Sequence, residues 1–172
     1  MDSAGRLPSK IKKNKHMSLQ IGEAAPSFKL YSSEKQEVSL DDYKGKNVVL
    51  LFFPQAFTGV CTKELCSMRD EMADYEQLSA NILAVSVDSP FTLEKYKEEQ
   101  KFNFPLLSDF NKEVSRAYDS LHEEFAFGMR GVSKRSAFVI DGEGVVRYAE
   151  VLDNPGELPN FAAVQETLRG LA

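Results

Sequence analysis

The architecture of the chain follows from residues 47–79, NVVLLFFPQAFTGVCTKELCSMRDEMADYEQLS. Residues 48–53 are a continuous apolar run rich in β-branched and aromatic side chains, which is typical of a strand buried on both faces. Pro54 ends this run, because it has no N–H to donate to a neighbouring strand. A helix is predicted after Gly59, since apolar side chains then recur three and four residues apart, at Leu65, Met68, Met72, Tyr75 and Leu78.

Cys61 lies in the first turn of this predicted helix, one turn before Leu65 and on the same face. The free N–H groups and the positive end of the helix dipole favour an anion at this position. A free thiol titrates near pH ~8.5, so a helix start raises the fraction that is a nucleophilic thiolate. The position therefore indicates a reactive cysteine, and a small buried apolar residue is the alternative that one cysteine alone leaves open.

The composition indicates one acidic domain. The chain has 172 residues and a formal net charge of −5, enough length for one domain with a sizeable core. We expect residues 1–16, MDSAGRLPSKIKKNKH, to be a disordered expression leader and residues 17–172 to be the domain, with a native basic arm as the alternative. The leader carries five basic residues and one acid, so the formal net charge of residues 17–172 alone is −9. That charge argues against nucleic-acid binding.

Localisation and metal binding are also constrained by the sequence. No apolar run reaches the roughly 18–20 residues that span a bilayer, and no secretory signal follows Met1 or Met17, the expected natural start. Two nearby cysteines fit a reducing cytoplasm and a catalytic or redox role. Beyond Cys61 and Cys66, residues 17–172 offer only His122 as a soft ligand, and we expect His122 to lie in an exposed loop. The sequence therefore predicts a cytoplasmic protein without a metal, a cofactor or a membrane partner.

The order of the predicted elements, β-β-β-α-β-α-β-α-β-β-α, indicates an α/β fold. The strands are predicted at 27–31, 37–40, 48–53, 82–87, 104–107, 136–140 and 145–152. The helices are predicted after Gly59, from about 92, from a cap at Asp109 or Asn111 through 118, and at 161–171. The helix from about 92 is expected to bury Phe91 and Tyr96, with Leu93 as a further candidate, and residues 119–134 are expected to include an irregular loop. This order predicts a thioredoxin-like three-layer sandwich with a mixed central sheet and an N-terminal β-hairpin extension.

Residues 54–61, PQAFTGVC, match the P-x-x-x-T-x-x-C active-site motif of the peroxiredoxins. FFPQAFTGVCTKELC resembles the signature of that family on both sides of the motif, and the resemblance continues at FPLLSD (104–109) and RSAFVID (135–141). The resemblance implies a thiol-dependent peroxidase that reduces hydrogen peroxide and organic hydroperoxides through a cysteine sulfenic acid. It also implies thioredoxin, glutaredoxin or a similar thiol reductant as partner, and a homodimer formed through loops around the active site.

The same resemblance implies a role for each site residue. Cys61 corresponds to the peroxidatic cysteine, whose thiolate attacks a peroxide oxygen. Thr58 would hydrogen-bond the sulfur and the peroxide, and its hydroxyl could also reach the first-turn N–H groups. Pro54 would shield the sulfenate, and Arg135 would stabilise the thiolate and polarise the peroxide. Glu64, one helical turn after Cys61, either orients Arg135 or favours the helix start as an acid.

Two other arginines are weaker candidates than Arg135. Arg130 lies five residues earlier and competes for the same role, but its simpler interpretation is a solvated loop charge. Arg147 matches a family position on the neighbouring strand, and we expect a surface-paired arginine there.

Cys66 is the candidate resolving cysteine. On a continuous helix its Cα would stand about 8.7 Å from that of Cys61, and a disulfide tolerates at most ~7 Å. CTKELC resembles the peroxiredoxin Q (bacterioferritin-comigratory) group, in which the second cysteine resolves the sulfenic acid. However, Gly59 stands where that group usually has proline, and FFPQAFTGVC with FPLLSDF resembles the AhpE-like one-cysteine group. We favour resolution by Cys66 after local unwinding, with an external thiol as the alternative.

A different class of function remains open from the sequence. A thioredoxin-type reductase would need C-x-x-C at the helix start, whereas this chain has C-x-x-x-x-C. A redox sensor or chaperone-like module without sustained turnover would share the fold, because fold alone does not fix function. Repeated consumption of peroxide with a thiol donor distinguishes a peroxidase from such a module.

Overall fold

The computed structural model describes residues 18–172, so the predicted leader at residues 1–16 lies outside the described residues. The strands are β1 (Lys29–Ser32), β2 (Glu37–Ser39), β3 (Asn47–Phe52), β4 (Ala80–Ser86), β5 (Leu106–Ser108), β6 (Leu121–His122), β7 (Val132–Ser133), β8 (Ser136–Ile140) and β9 (Val146–Val151). The α-helices are α1 (Gly59–Asp70), α2 (Met72–Gln77), α3 (Pro90–Gln100), α4 (Glu113–Ala117) and α5 (Phe161–Gly170). Short 3₁₀ turns occupy Leu40–Tyr43 and Ala126–Gly128.

Seven strands form one mixed sheet in the order β2-β1-β5-β4-β3-β8-β9. β3 pairs parallel with β4 and antiparallel with β8, so the predicted central strand is central in the structure. β1 and β2 form the antiparallel hairpin at one edge. The remaining strands, β6 and β7, pair with each other in a small separate hairpin. The predicted mixed sheet and N-terminal hairpin are therefore confirmed.

Alternate side chains of β3 enter two different cores, because successive residues of a strand point to opposite faces. Val49 and Leu51 pack with α1, α2, α3 and α5, whereas Val48 and Leu50 pack with α4 and the 3₁₀ turn after β2. These four side chains are almost fully buried. The result is the predicted three-layer sandwich, with β3 buried on both faces.

The structure corrects three expectations. The predicted single helix after Gly59 is broken at Glu71, which has φ −96° and ψ 10° and separates α1 from α2. Phe91 is 71% exposed, whereas Tyr96 and the further candidate Leu93 form the buried face of α3. His122 is buried rather than exposed, because the β6–β7 pairing brings its ring to 5.4 Å from that of Phe125. Part of the expected loop at 119–134 is therefore ordered as a hairpin.

Within residues 18–172, no helix is both long enough and apolar enough to cross a membrane.

Candidate active site

The end of β3 and the start of α1 place Cys61 at the C-terminal edge of the central sheet. Between them, the Ala56 N–H donates to the Asp88 carboxylate at 2.9 Å, which ties the connecting loop to the loop after β4. Phe57 adopts a left-handed conformation, with φ 64°. Such a backbone is uncommon for a bulky residue and is found where the surrounding structure enforces it. The loop therefore presents Cys61 from a constrained turn.

Cys61 is only 1% exposed, yet it lines a small open pocket of about 240 Å³. It is the third residue of α1, where the first N–H groups have no partner within the helix. The pocket is lined by residues from four segments of the chain: Pro54, Thr58, Gly59, Val60, Cys61, Phe125, Arg135, Pro155 and Gly156. The thiol is thus shielded from bulk water but open to a small molecule.

Arg135 brings a buried cation to the sulfur. It directly precedes β8, and its Nη2 lies 3.3 Å from Cys61 Sγ. Its Nη1 donates to Glu64 Oε2 at 2.9 Å, and Nη2 also donates to the Pro155 carbonyl at 3.0 Å. Burial alone would lower the pKa of Arg135, but the nearby charges of Glu64 and Cys61 raise it. Arg135 therefore stays cationic at the sulfur.

Glu64 is the buried counter-ion of Arg135. Its side chain is fully buried, and its Oε1 has no hydrogen-bond partner among the described residues. Burial raises the pKa of Glu64 to about 7, because the opposing effect of Arg135 does not fully offset the loss of hydration. Of the two sequence-based interpretations, the geometry supports the one in which Glu64 orients Arg135.

The pH dependence of stability should report on Glu64. Its pKa is about 7 in the folded state against an ordinary 4.5, so the folded state binds the proton more tightly. Tighter proton binding by Glu64 therefore stabilises the folded state, fully so below pH ~4.5. As the pH rises through ~7 this stabilisation is lost, and the free energy of unfolding falls by up to about 3 kcal/mol. In urea unfolding, Glu64→Gln should lack that loss between pH 4.5 and 7.5. An identical pH slope in the parent and the variant would contradict this assignment.

Thr58 and Pro54 line the pocket, but one of the contacts considered for the Thr58 hydroxyl, with the first-turn N–H groups of α1, does not form. It is the N-cap residue of α1, and no cap hydrogen bond forms from its side chain. Its hydroxyl instead donates to the Gln55 carbonyl at 2.8 Å. With its proton used in this way, the Thr58 oxygen keeps its lone pairs to accept a hydrogen bond from a bound molecule.

The two competing arginines lie elsewhere. Arg130 is exposed and does not line the pocket. Arg147 is 42% exposed and pairs with Asp141 at 2.6 Å on the surface, as expected.

Cys66 lies on the same helix as Cys61, and both cysteines are free. α1 is continuous from Gly59 to Asp70, so no break between the two cysteines brings them together. Cys66 is half-buried, and its Sγ lies 3.6 Å from Gln100 Oε1 on α3. The folded structure therefore agrees with the geometric argument that a bridge needs local unwinding.

Three residues of the pocket are not identifiable from the sequence. Phe125 lies in the segment expected to be irregular, and Pro155 and Gly156 indicate only a chain break. The contact of Pro155 with Arg135 is made by its carbonyl oxygen. Every residue carries that group, so residue type holds no signal for it.

No group of three or more metal-binding side chains forms within residues 18–172.

The chain resembles known proteins over most of its length. Residues 21–149 match the AhpC/TSA family. Alkyl hydroperoxide reductase E of Mycobacterium tuberculosis is 41% identical over 143 residues, which cover 81% of this chain and 90% of that protein. Among solved structures, peroxidoxin BcpB from M. tuberculosis has a TM-score of 0.79 at 26% identity, covering 90% of this chain and 99% of that chain. A peroxiredoxin-like protein from Aquifex aeolicus has a TM-score of 0.81 at 28% identity, covering 91% and 90%.

Proposed function

Because the chain belongs to the AhpC/TSA family, the peroxiredoxins, we propose that Cys61 is the cysteine at which this thiol-dependent peroxidase reduces its peroxide. The observation that carries the proposal is the contact of 3.3 Å between Arg135 Nη2 and Cys61 Sγ inside an open pocket. A buried cation and a helix start both favour the thiolate, which is the nucleophilic form.

In the proposed reaction, the Cys61 thiolate attacks one oxygen of the peroxide. A sulfur–oxygen bond forms, the oxygen–oxygen bond breaks, and the departing oxygen takes a proton to leave as water or an alcohol. Cys61 becomes a sulfenic acid, so sulfur is oxidised by two electrons and the peroxide is reduced by two. Negative charge moves onto the departing oxygen, and the fixed Arg135 guanidinium stabilises it there.

Thr58 and Pro54 take supporting roles in this proposal. The Thr58 oxygen accepts a hydrogen bond from the peroxide O–H, because its own proton is held by the Gln55 carbonyl. Pro54 closes one side of the pocket with no N–H group of its own. Apolar side chains of Val60, Phe125 and Pro155 form further walls, which admit the organic part of a hydroperoxide as well as hydrogen peroxide.

We further propose that Cys66 resolves the sulfenic acid, with thioredoxin, glutaredoxin or a similar thiol then reducing the disulfide. The half-buried position of Cys66 on the same helix supports this, as does the cytoplasmic setting that two free cysteines suggest. One equivalent of peroxide should then lower the intact mass by about 2 Da, for two hydrogen atoms. Cys66→Ser should gain about 16 Da instead, for one oxygen. A persistent gain of one oxygen in the parent would make Cys66 a spectator and an external thiol the resolving group.

A homodimer is proposed through the face around the pocket. Two aromatic side chains are exposed there: Phe57 on the loop before α1 is 49% exposed, and Phe127, two residues from Phe125, is 99% exposed. Exposed aromatic groups beside a site often mark an interface. Analytical ultracentrifugation should show a dimer that Phe127→Glu dissociates. A monomeric parent would contradict the proposal.

Turnover separates the proposed peroxidase from a sensor. With a thiol donor in excess, the protein should consume many equivalents of peroxide per Cys61, whereas a redox sensor stops after about one. Peroxide loss followed by a colorimetric assay measures this directly. Consumption that ends at one equivalent while the donor remains would contradict sustained peroxidase activity.

A further inference from the structure

We propose that Tyr96 is a positioning residue whose hydrogen bond to Thr62 holds the first turn of α1 folded and so sets how fast Cys61 and Cys66 form a disulfide. The inference rests on the proposed function, because it concerns the resolving step assigned there to Cys66. It adds a residue of α3 that neither the peroxidase chemistry nor the pocket includes.

Tyr96 contacts the chain on both sides of Cys61. Its hydroxyl lies 2.8 Å from the hydroxyl of Thr62, the residue after Cys61. Its ring packs on that of Phe57, with centroids 4.8 Å apart, in the loop that leads into α1. Tyr96 therefore holds in place residues 57–62, the segment that must move if the Cys61 sulfur is to leave its pocket.

One turn further along α3, Gln100 contacts the other end of the same segment. Its side-chain oxygen lies 3.6 Å from Cys66 Sγ, and its carbonyl accepts from Arg69 Nη1 at 2.5 Å. Tyr96 and Gln100 are four residues apart and therefore lie on the same face of α3. α3 holds the span from Thr62 to Arg69 at both ends, and Tyr96 is the contact next to the reacting sulfur.

Tyr96 is a rigid support. Its side chain is fully buried, and its ring also packs against Phe102, with centroids 5.0 Å apart and an interplanar angle of 80°. Burial raises the pKa of Tyr96 to about 12, so the hydroxyl keeps its proton in the physiological range and can hydrogen-bond Thr62. The hydroxyl is therefore a fixed point to which the first turn of α1 is attached.

Other features of the same turn favour its opening. Thr58 makes no cap hydrogen bond with its side chain, so the helix start lacks that stabilisation. Phe57 holds a left-handed backbone conformation that a bulky residue would leave when freed. The Thr62–Tyr96 bond opposes both, which makes it a contact whose removal should promote unwinding.

The step that the Thr62–Tyr96 bond slows is disulfide formation between Cys61 and Cys66, and this step needs no other reactant. The Cys66 sulfur attacks the sulfenic sulfur of Cys61, a disulfide bond forms, and the sulfur–oxygen bond breaks. The oxygen leaves as water, taking the thiol proton of Cys66. A second peroxide competes for the same sulfenic acid and converts it to sulfinic acid. A slower unwinding therefore gives the second peroxide more time.

The test compares Tyr96→Phe with the parent, since this change removes the hydroxyl and keeps the ring. After rapid mixing with peroxide, quenched samples are followed by intact mass for disulfide and for sulfinic acid. The variant should close the disulfide about five- to tenfold faster, as expected for the loss of one hydrogen bond. The peroxide concentration that gives half over-oxidation should rise by the same factor, and the first oxidation should keep the parent rate.

Two further variants separate the proposal from a general loss of stability. Tyr118→Phe removes a buried hydroxyl that donates to the Pro26 carbonyl at 2.7 Å in the other core, so it should leave disulfide closure unchanged. Thr62→Val should reproduce the effect of Tyr96→Phe, and the double variant should add little, because both changes break the same bond.

The outcomes distinguish the two proposals. If the parent forms the disulfide and Tyr96→Phe closes it at the parent rate or more slowly, the role of Tyr96 is overturned and Cys66 stays the resolving cysteine. An equal acceleration in Tyr118→Phe would also overturn it. If the parent never forms the disulfide, resolution by Cys66 fails and the inference fails with it.

Discussion

Cys61→Ser is expected to abolish peroxide consumption, with a fall of order 10³-fold or more in the rate constant for reaction with peroxide. Serine keeps the size of the side chain, but its hydroxyl remains un-ionised at neutral pH and is a much weaker nucleophile than a thiolate. Loss of an essential nucleophile commonly has effects of this size or larger. The rate is measured as thiol-dependent loss of peroxide in the steady state.

Cys66→Ser is the matched control, because it removes the other thiol of the same helix. It should leave the first oxidation as fast as in the parent and affect only the later resolving step. Peroxide consumption by Cys61→Ser at the parent rate would transfer the nucleophilic role to another residue.

Arg135→Met is expected to lower the rate constant for Cys61 oxidation by about 10²-fold, by analogy with the removal of one fixed transition-state donor. Methionine retains much of the bulk but removes the guanidinium that lies 3.3 Å from the sulfur. It also leaves Glu64 buried without its cation, so the variant should be less stable. Stopped-flow or competition kinetics with peroxide measures the rate, and urea unfolding measures the stability.

Arg130→Met is the control for this variant, since Arg130 is exposed and lies outside the pocket. It should change the oxidation rate by less than about twofold, as surface substitutions away from special features commonly have small effects. A larger loss in Arg130→Met than in Arg135→Met would reverse the assignment.

The central part of the fold could be predicted from the sequence because its signal is local and strong. The run at residues 48–53 has no polar position, so a strand buried on both faces is the simplest interpretation, and β3 is that strand. The helix break at Glu71 could not be predicted in the same way. Met68, Met72 and Tyr75 keep helical spacing across it, so periodicity alone continues through the break.

Two burial errors have different physical origins. Phe91 and Tyr96 are five residues apart, about 140° around a helix, so they could not both face the core. Leu93, the third candidate, lies three residues before Tyr96 and shares the buried face with it. For His122, the neighbouring Glu123 and Glu124 favour exposure. Its burial depends on β6 pairing with the more distant β7, which local composition does not encode.

In the candidate site, too, local sequence predicts some residues, whereas others depend on long-range strand pairing. Pro54, Thr58 and Cys61 belong to one short motif, and their common pocket follows from a strand, a turn and a helix start. Arg135 lies 74 residues after Cys61 and is identifiable in the sequence only through a family resemblance. The structure brings it to the sulfur because β8 pairs with β3, whose end leads into α1. Without a known relative, this long-range pairing, and with it the proximity of Arg135 to Cys61, cannot be predicted from the sequence.

The central claim, that Cys61 is the residue oxidised first, is tested most directly in Cys66→Ser protein given one equivalent of peroxide. A dione reagent that traps sulfenic acids is present, and peptide mass spectrometry locates the adduct. The account predicts one adduct, on the peptide that contains Cys61, formed before any methionine is oxidised. A Cys61 thiol that stays fully alkylatable after the peroxide has been consumed would contradict it.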